Sequence, residues 1–189
     1  SLVILMGGIN LSMGAVMAFT TVMWGDMLLK NSGIHPLIPS VLIVASAALI
    51  GCLSGLMITK LHITPYIATF AVMYAFRGLA WVYLRNRVIY SLNEGFRQIA
   101  IGRLFKVGGF SVTMPMVIAA GFLLLFFILL RHTNMGRRWY FTGANPVAAK
   151  FSGINTDRVI IAAYTLSTAL AGFAGLMYMA RLNSTEPGL

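Results

Sequence analysis

The chain reads as an all-α, polytopic transmembrane helix bundle of about five spans, and three observations predict it. Of its 189 residues, 59% are hydrophobic and only 10% charged, against about 25% charged in a typical soluble domain. The apolar residues gather in five long runs, 15–29, 36–59, 64–84, 114–130 and 159–180. Segments of this kind cross lipid as helices, because a helix satisfies its own backbone hydrogen bonds where no water is present. The basic residues lie between the runs, where membrane proteins commonly carry them. That placement excludes nucleic acid as the reading of a net charge of +10. No internal repeat or low-complexity tract divides the chain, so the expected organisation is one domain over 1–189, with a polar loop at 131–158. The chain opens on Ser1, already apolar at Leu2 and without a basic leader, and stops at Leu189 inside an unfinished element. It is read as a fragment of a longer protein, truncated at both ends.

Before the first full run stands Gly7-Gly8-Ile9-Asn10-Leu11-Ser12-Met13-Gly14. Three glycines, an Asn and a Ser loosen a helix there. Two readings stand: a tight connection between spans, or a broken helix whose free N–H groups, with Asn10 and Ser12, face a solute path. In the second run Ala47, Gly51 and Gly55 recur every four residues, a small-residue stripe that lets helices approach closely in lipid. Cys52, the only cysteine, excludes an internal disulfide and reads as a small packing residue. Lys60 and His62 fall in a short turn, so the third run returns antiparallel. It starts at Thr64-Pro65, an N-cap followed by the first helical residue. Arg77 is the basic residue set deepest in an apolar run. Snorkelling or structural pairing is one reading and a place on the solute path the other, since only about 10 Å of helix remain before Leu84.

The stretch 85–113 is polar and basic, and Phe96, Ile99 and Leu104 predict a short interfacial helix ended by Gly108-Gly109. The fourth run spans about 25 Å, a little short of a hydrocarbon core of about 30 Å. The passage 134–158, NMGRRWYFTGANPVAAKFSGINTDR, then follows. Asn145 can cap a helix, Pro146 suits its first position and Gly153 its left-handed end. A helix of about two turns is expected, with Asn155 or Thr156 capping the next. So short a helix is marginal alone in water and needs a docking partner. In the fifth run Ser167, Ala171 and Gly175 form a second small-residue stripe.

Much chemistry is absent from the sequence. No G-x-x-x-x-G-K-[ST] is present for ATP. His35, His62 and His132 are scattered, so no metal is called for. The four acids, Asp26, Glu94, Asp157 and Glu186, are too dispersed for a catalytic carboxylate pair. No covalent catalysis is expected, and the chain is not read as an enzyme. Basic residues divide almost evenly between the two faces, so charge does not set the orientation.

Four stretches in order, Gly8 through Gly14, Ile63-Thr64-Pro65-Tyr66-Ile67-Ala68-Thr69, Arg77-Gly78, and Met135-Gly136-Arg137 through Asn145 to Gly153-Ile154-Asn155, resemble permease subunits of ribose-type ABC sugar importers. The resemblance implies a multi-pass protein of the bacterial inner membrane. It also implies a second permease subunit, a partner ATPase that binds the ATP, and a periplasmic or extracellular sugar-binding protein. No cofactor is implied for the chain itself. Gly143, Ala144, Asn145, Pro146, Ala148, Ala149, Ser152 and Gly153 resemble the coupling helix that fits the ATPase, which places this loop in the cytoplasm. Asn10, Ser12, Thr64 and Arg77 are the residues expected beside the path of a ribose-, xylose- or galactose-like sugar. The first motif usually carries Asp where this chain has Asn10. Permeases for branched-chain amino acids and nucleosides share a similar loop and form the alternative, with a non-ABC carrier or scaffold behind them.

Overall fold

In a computed structural model, described over residues 2–29, 37–84, 89–90, 102–107 and 110–185, the apolar runs are helices. A single turn, α1 (Leu2–Leu5), precedes α2 (Met13–Leu29), α3 (Leu37–Lys60) and α4 (Pro65–Leu84). The short strands β1 (Ile89–Tyr90), β2 (Arg103–Val107) and β3 (Phe110–Thr113) lead to α5 (Met114–His132). Then come α6 (Asn134–Ala144), α7 (Pro146–Phe151), α8 (Thr156–Leu182) and β4 (Ser184–Thr185). Helices α3, α4, α5 and α8 are long and apolar enough to cross a membrane. Helix α2 has 17 residues, about 25 Å, which makes it the short member of the expected five.

Packing follows the small residues. Helices α3 and α8 run antiparallel in the most extensive contact of the bundle. A Cβ on Gly51 would overlap the Thr168 hydroxyl, and one on Gly55 would reach the Ile161 Cα at 2.8 Å. The Ala47-Gly51-Gly55 stripe is therefore the closest approach in the fold. The second stripe divides: Gly175 closes on Met17 and Thr21 of α2, while Gly172, outside the stripe, closes on Ala47. Ser167 and Ala171 instead line an apolar groove beside α5. Helix α2 lies among α3, α4 and α8, with Val16, Ala47, Ile50 and Val72 forming one buried cluster. Helix α5 buries none of its residues and touches α8 edge-on through Phe122 and Phe173, ring centres 5.1 Å apart.

The stretch expected as an interfacial helix differs. Leu104 lies on β2, which pairs with β3 through Phe105–Val112, Lys106–Ser111 and Val107–Phe110. Phe96 and Ile99 lie outside the described residues. Phe105, Val107, Phe110 and Val112, aromatic and β-branched, suit strand pairing as readily as a helical stripe, and Gly108-Gly109, expected to end the helix, also lies outside the described residues. A second ladder pairs β1 with β4, and these two short pairs leave the all-α class unchanged.

Candidate functional site

Two polar assemblies stand at one end of the bundle, where α3 ends and α4 and α8 begin. The first is the α6–α7 loop. Thr133 Oγ1 accepts from the Gly136 N–H and starts α6. Asn145 Oδ1 then accepts from both Val147 and Ala148 N–H groups at 3.0 Å and starts α7. Ile154 N–H donates to Ala149 O and Gly153 N–H to Lys150 O, with Gly153 at φ +79°. This 6→1 and 5→2 pair is a Schellman stop, which glycine permits. Asn155 Oδ1 caps α8 by accepting from Arg158 N–H. The expected boundaries of the short helix hold, while α6 is an additional helix in the passage.

The residues expected to couple to an ATPase do not all point outward. Asn145, Pro146, Ala148, Ser152 and Gly153 are exposed, as is Ala144. Ala149 is buried, and a Cβ on Gly143 would overlap the Leu5 carbonyl oxygen of α1. Those two positions pack on the protein itself. The exposed apolar residues of α7 are Val147 at 64% and Phe151 at 89%. Neither stood out in the sequence, because an apolar residue in a two-turn helix looks the same whether it faces in or out.

The second assembly is the break between α1 and α2. Gly7, at φ +70°, turns the chain out of α1. Gly8 lies where a Cβ would come within 2.6 Å of the Tyr164 hydroxyl. Tyr164 of α8 donates to Ile9 O at 3.3 Å, and the Thr69 hydroxyl of α4, whose proton goes to Pro65 O at 2.8 Å, lies 3.5 Å from the same oxygen. These anchors hold the break inside the bundle, about 6 Å of helix beyond Pro65 and about 12 Å beyond Thr156. Asn10 Oδ1 accepts from Ser12 N–H at 3.1 Å and from Ser12 Oγ at 2.8 Å. Val16 N–H donates to Ser12 O at 2.9 Å as the first helical bond of α2. Met13, Gly14 and Ala15 thus present N–H groups without an intrahelical acceptor. Asn10 is 8% exposed, and its Nδ2 has no partner among the described residues. A buried donor left unmatched costs about 1–3 kcal/mol.

Asn10 and Ser12 are therefore brought together, whereas Thr64 stands at the start of α4, its carbonyl accepting from Ala68 N–H. Arg77 is exposed on α4, about 18 Å along the helix from Pro65. The Gly7–Gly14 stretch does interrupt the helix between α1 and α2, a geometry that fits both readings, the tight connection and the broken helix on a solute path. Tyr164 and Thr69, which fix it, were illegible in the sequence: nothing local ties Tyr164 to a carbonyl 155 positions away.

The two assemblies touch. Trp139 of α6 is buried with Leu2 of α1 and Ala163 of α8, and its Nε1 donates to Val159 O at 3.3 Å. With the Gly143–Leu5 approach, α1 is held between the loop helices and the break.

Sequence comparison agrees over nearly the whole chain. It is 35% identical to the ribose import permease protein RbsC of Bacillus subtilis, covering 98% of this chain and 56% of that protein. It is 30% identical to the fructose import permease protein FrcC of Rhizobium meliloti, covering 99% and 52%. Against the galactose/methyl galactoside import permease protein MglC of Haemophilus influenzae the figures are 30%, 96% and 58%. The chain spans about half the length of these relatives. No solved structure matches it. The family model described as branched-chain amino acid transport system / permease component matches residues 1–188, and the chain belongs to that family.

Proposed function

We propose that this chain is part of the permease subunit of an ATP-driven ABC importer that moves a monosaccharide across the bacterial inner membrane. The observation that carries the sugar, over the amino acid of the family's description, is the set of relatives named for ribose, fructose and galactose. The chain has no nucleotide motif, so ATP would be bound by a partner ATPase. Helix α7 is the surface that suits such a partner: capped at both ends, it presents Val147 and Phe151 without an intramolecular use for them. A groove on the ATPase that takes the Phe151 ring would move α7 when it closes. Through α6 that movement reaches α1, because packed helices shift as bodies rather than deform. The break beside Asn10 and Ser12 would lie on the path, with Thr64 at the start of α4; Arg77 is kept as a more distant path residue. A second permease subunit and an external sugar-binding protein complete the assembly.

The test is reconstitution of the full-length protein with its ATPase and binding protein in vesicles. ATP-dependent uptake of D-ribose, D-fructose or D-galactose, without uptake of L-leucine, is expected. Leucine uptake would transfer the assignment to the amino-acid branch. Failure of any ATPase to co-purify would point to a non-ABC carrier or scaffold.

A further inference from the structure

We infer that the end of α5 beside α6, with its open flank against α8, is a binding site for an anionic phospholipid of the surrounding membrane. The phosphate would sit on Arg131 and Arg137, and an acyl chain in the groove between α5 and α8. The site requires only that the chain spans a membrane, not the permease reading. Arg131 stands in the last turn of α5, and Arg137 one turn into α6. With Tyr140, Phe127 and Leu130 they line a cavity of about 510 Å³. The Arg131 guanidinium lies over the Phe127 ring, 5.7 Å from its centre, and Arg137 Nη2 donates to Asn134 Oδ1. Neither arginine pairs with a carboxylate among the described residues. The loop 131–158 holds five basic residues and one acid, Asp157, and that acid is taken by Lys60 at 2.8 Å. A guanidinium carries five N–H donors, so each arginine keeps several for a phosphate, the group its forked donors suit.

Depth favours a lipid over a partner from the aqueous side. Phe127 and Leu130 belong to a helix long and apolar enough to cross the membrane, and Phe127 lies about 7 Å of helix inside its end at His132. The cavity is thus apolar where it adjoins the span and basic and aromatic where the span ends, the order found from bilayer core to headgroup. Leu130 also lines the apolar groove of about 870 Å³ between α5 and α8, so the two spaces meet at one side chain. From Leu130 the groove follows α5 past Phe126, Phe122 and Ala119 to Pro115. That is about 22 Å of helix, enough for a chain through one leaflet of a core of about 30 Å. Ala119, Ala171 and Ala174 in its walls keep it open, and α5 buries none of its residues. A basic pocket beside an apolar cleft between membrane helices is the arrangement that holds anionic headgroups.

The test titrates the delipidated full-length protein in detergent with phosphatidylglycerol and with phosphatidylcholine, and counts bound lipid per chain by native mass spectrometry. The unsubstituted protein should bind its first phosphatidylglycerol more tightly than phosphatidylcholine. Arg131→Gln and Arg137→Gln should each reduce that preference about five-fold, the share of one arginine near a membrane surface. Arg138 is exposed on the same loop but does not line the cavity, so Arg138→Gln should keep the parent's preference. Ala119→Trp, which fills the groove, should weaken both lipids alike. Equal losses in all three arginine variants, or no preference in the parent, mean diffuse surface charge at most and overturn the site. Unchanged lipid binding in Ala119→Trp, whatever its melting temperature, overturns the groove as the seat of the chain and the site with it. Release of phosphatidylglycerol by inorganic phosphate at constant ionic strength would mark a free-phosphate site, and release by a partner ATPase a protein contact; either overturns the lipid assignment. Uptake is read in none of these arms, so their failure leaves the permease reading standing.

Discussion

Helices α7 and α2 both begin behind an asparagine whose side-chain oxygen gathers nearby donors, and they differ in what is left over. At α7, Asn145 takes the Val147 and Ala148 N–H groups, Pro146 has none to offer, and the helix start is closed by its own chain. What remains unmatched there is apolar: Val147 and Phe151 in the open. At α2, Asn10 spends its oxygen on Ser12, one residue too early to reach the first turn. What remains unmatched is polar, and it is buried. A polar self-satisfied helix with an apolar outer face suits a protein groove, whereas a donor-rich helix start within the membrane suits a small polar solute. The same residue type thus leaves an apolar outer face free in one place and buried donors in the other, according to which N–H groups it takes up.

The largest expected effect comes from breaking the junction between the two regions. Gly143→Leu drives a side chain into the Leu5 carbonyl oxygen, a backbone atom that cannot swing aside. A cost of about 3 kcal/mol is expected, at the upper end for overpacking, with loss of uptake. Melting of the purified full-length protein and uptake in vesicles check it. Normal uptake would show that α1 does not belong to the moving unit.

Next in size is Phe151→Asp. At 89% exposure the ring contributes little to the fold, so the melting temperature should stay within about 2 °C of the parent protein, as for a neutral surface substitution. Loss of a buried aromatic anchor at an interface costs about 2 kcal/mol, about thirty-fold in affinity for the ATPase. Co-purification and ATP-dependent uptake should both fall. An unchanged yield of ATPase would remove α7 from the docking surface and leave the two regions alike in having no partner.

The local half of this arrangement was legible in the sequence and the long-range half was not. Asn145-Pro146, Gly153 and Asn155 announce α7 and its neighbours because caps and stops are written within about ten residues of each other. The Ala47-Gly51-Gly55 stripe announced a close approach, but its partner helix and the role of Gly172 depend on how α3 and α8 meet. Asn10 and Ser12 were legible as polar residues in a glycine-rich break. That Tyr164 and Thr69 anchor it, and that Gly143 faces α1 rather than an ATPase, required the packed chain. Leu104 was misread because its spacing from Phe96 and Ile99 fits a helical period, whereas the pairing of β2 with β3 that places it on a strand is not written in that spacing.

A smaller effect sharpens the contrast between the two asparagines. Asn145→Ala frees the Val147 and Ala148 N–H groups, and losing an N-cap costs about 1 kcal/mol. In a six-residue helix that should speed amide exchange at those positions about five-fold. Uptake should decrease only modestly, because the Schellman stop and the buried Ala149 still hold the far end. Here the expected deficit is in order, measured by hydrogen exchange, whereas at Asn10 it is in solute affinity. An Asn145 variant with a raised KM and normal exchange would erase the distinction.

The smallest effect is expected at the exposed contact between α3 and α8. Lys60 Nζ lies 2.8 Å from Asp157 Oδ2, joining the end of α3 to the first turn of α8, with side chains 63% and 42% exposed. An exposed pair of this kind contributes about 0–1 kcal/mol. The closely packed glycines of α3 and α8 already fix the same junction, so the pair has little left to position. Lys60→Met should therefore change unfolding stability by less than about 1 kcal/mol, and the difference should shrink as salt rises from about 0.05 to about 0.5 M. A loss well above that, insensitive to salt, would mean that Lys60 and Asp157 act as part of the α7–α8 unit. The loop would then be held to the bundle at two points, through Gly143 on α1 and through Asp157 on α3, and movement of α7 would reach α3 as directly as it reaches the break.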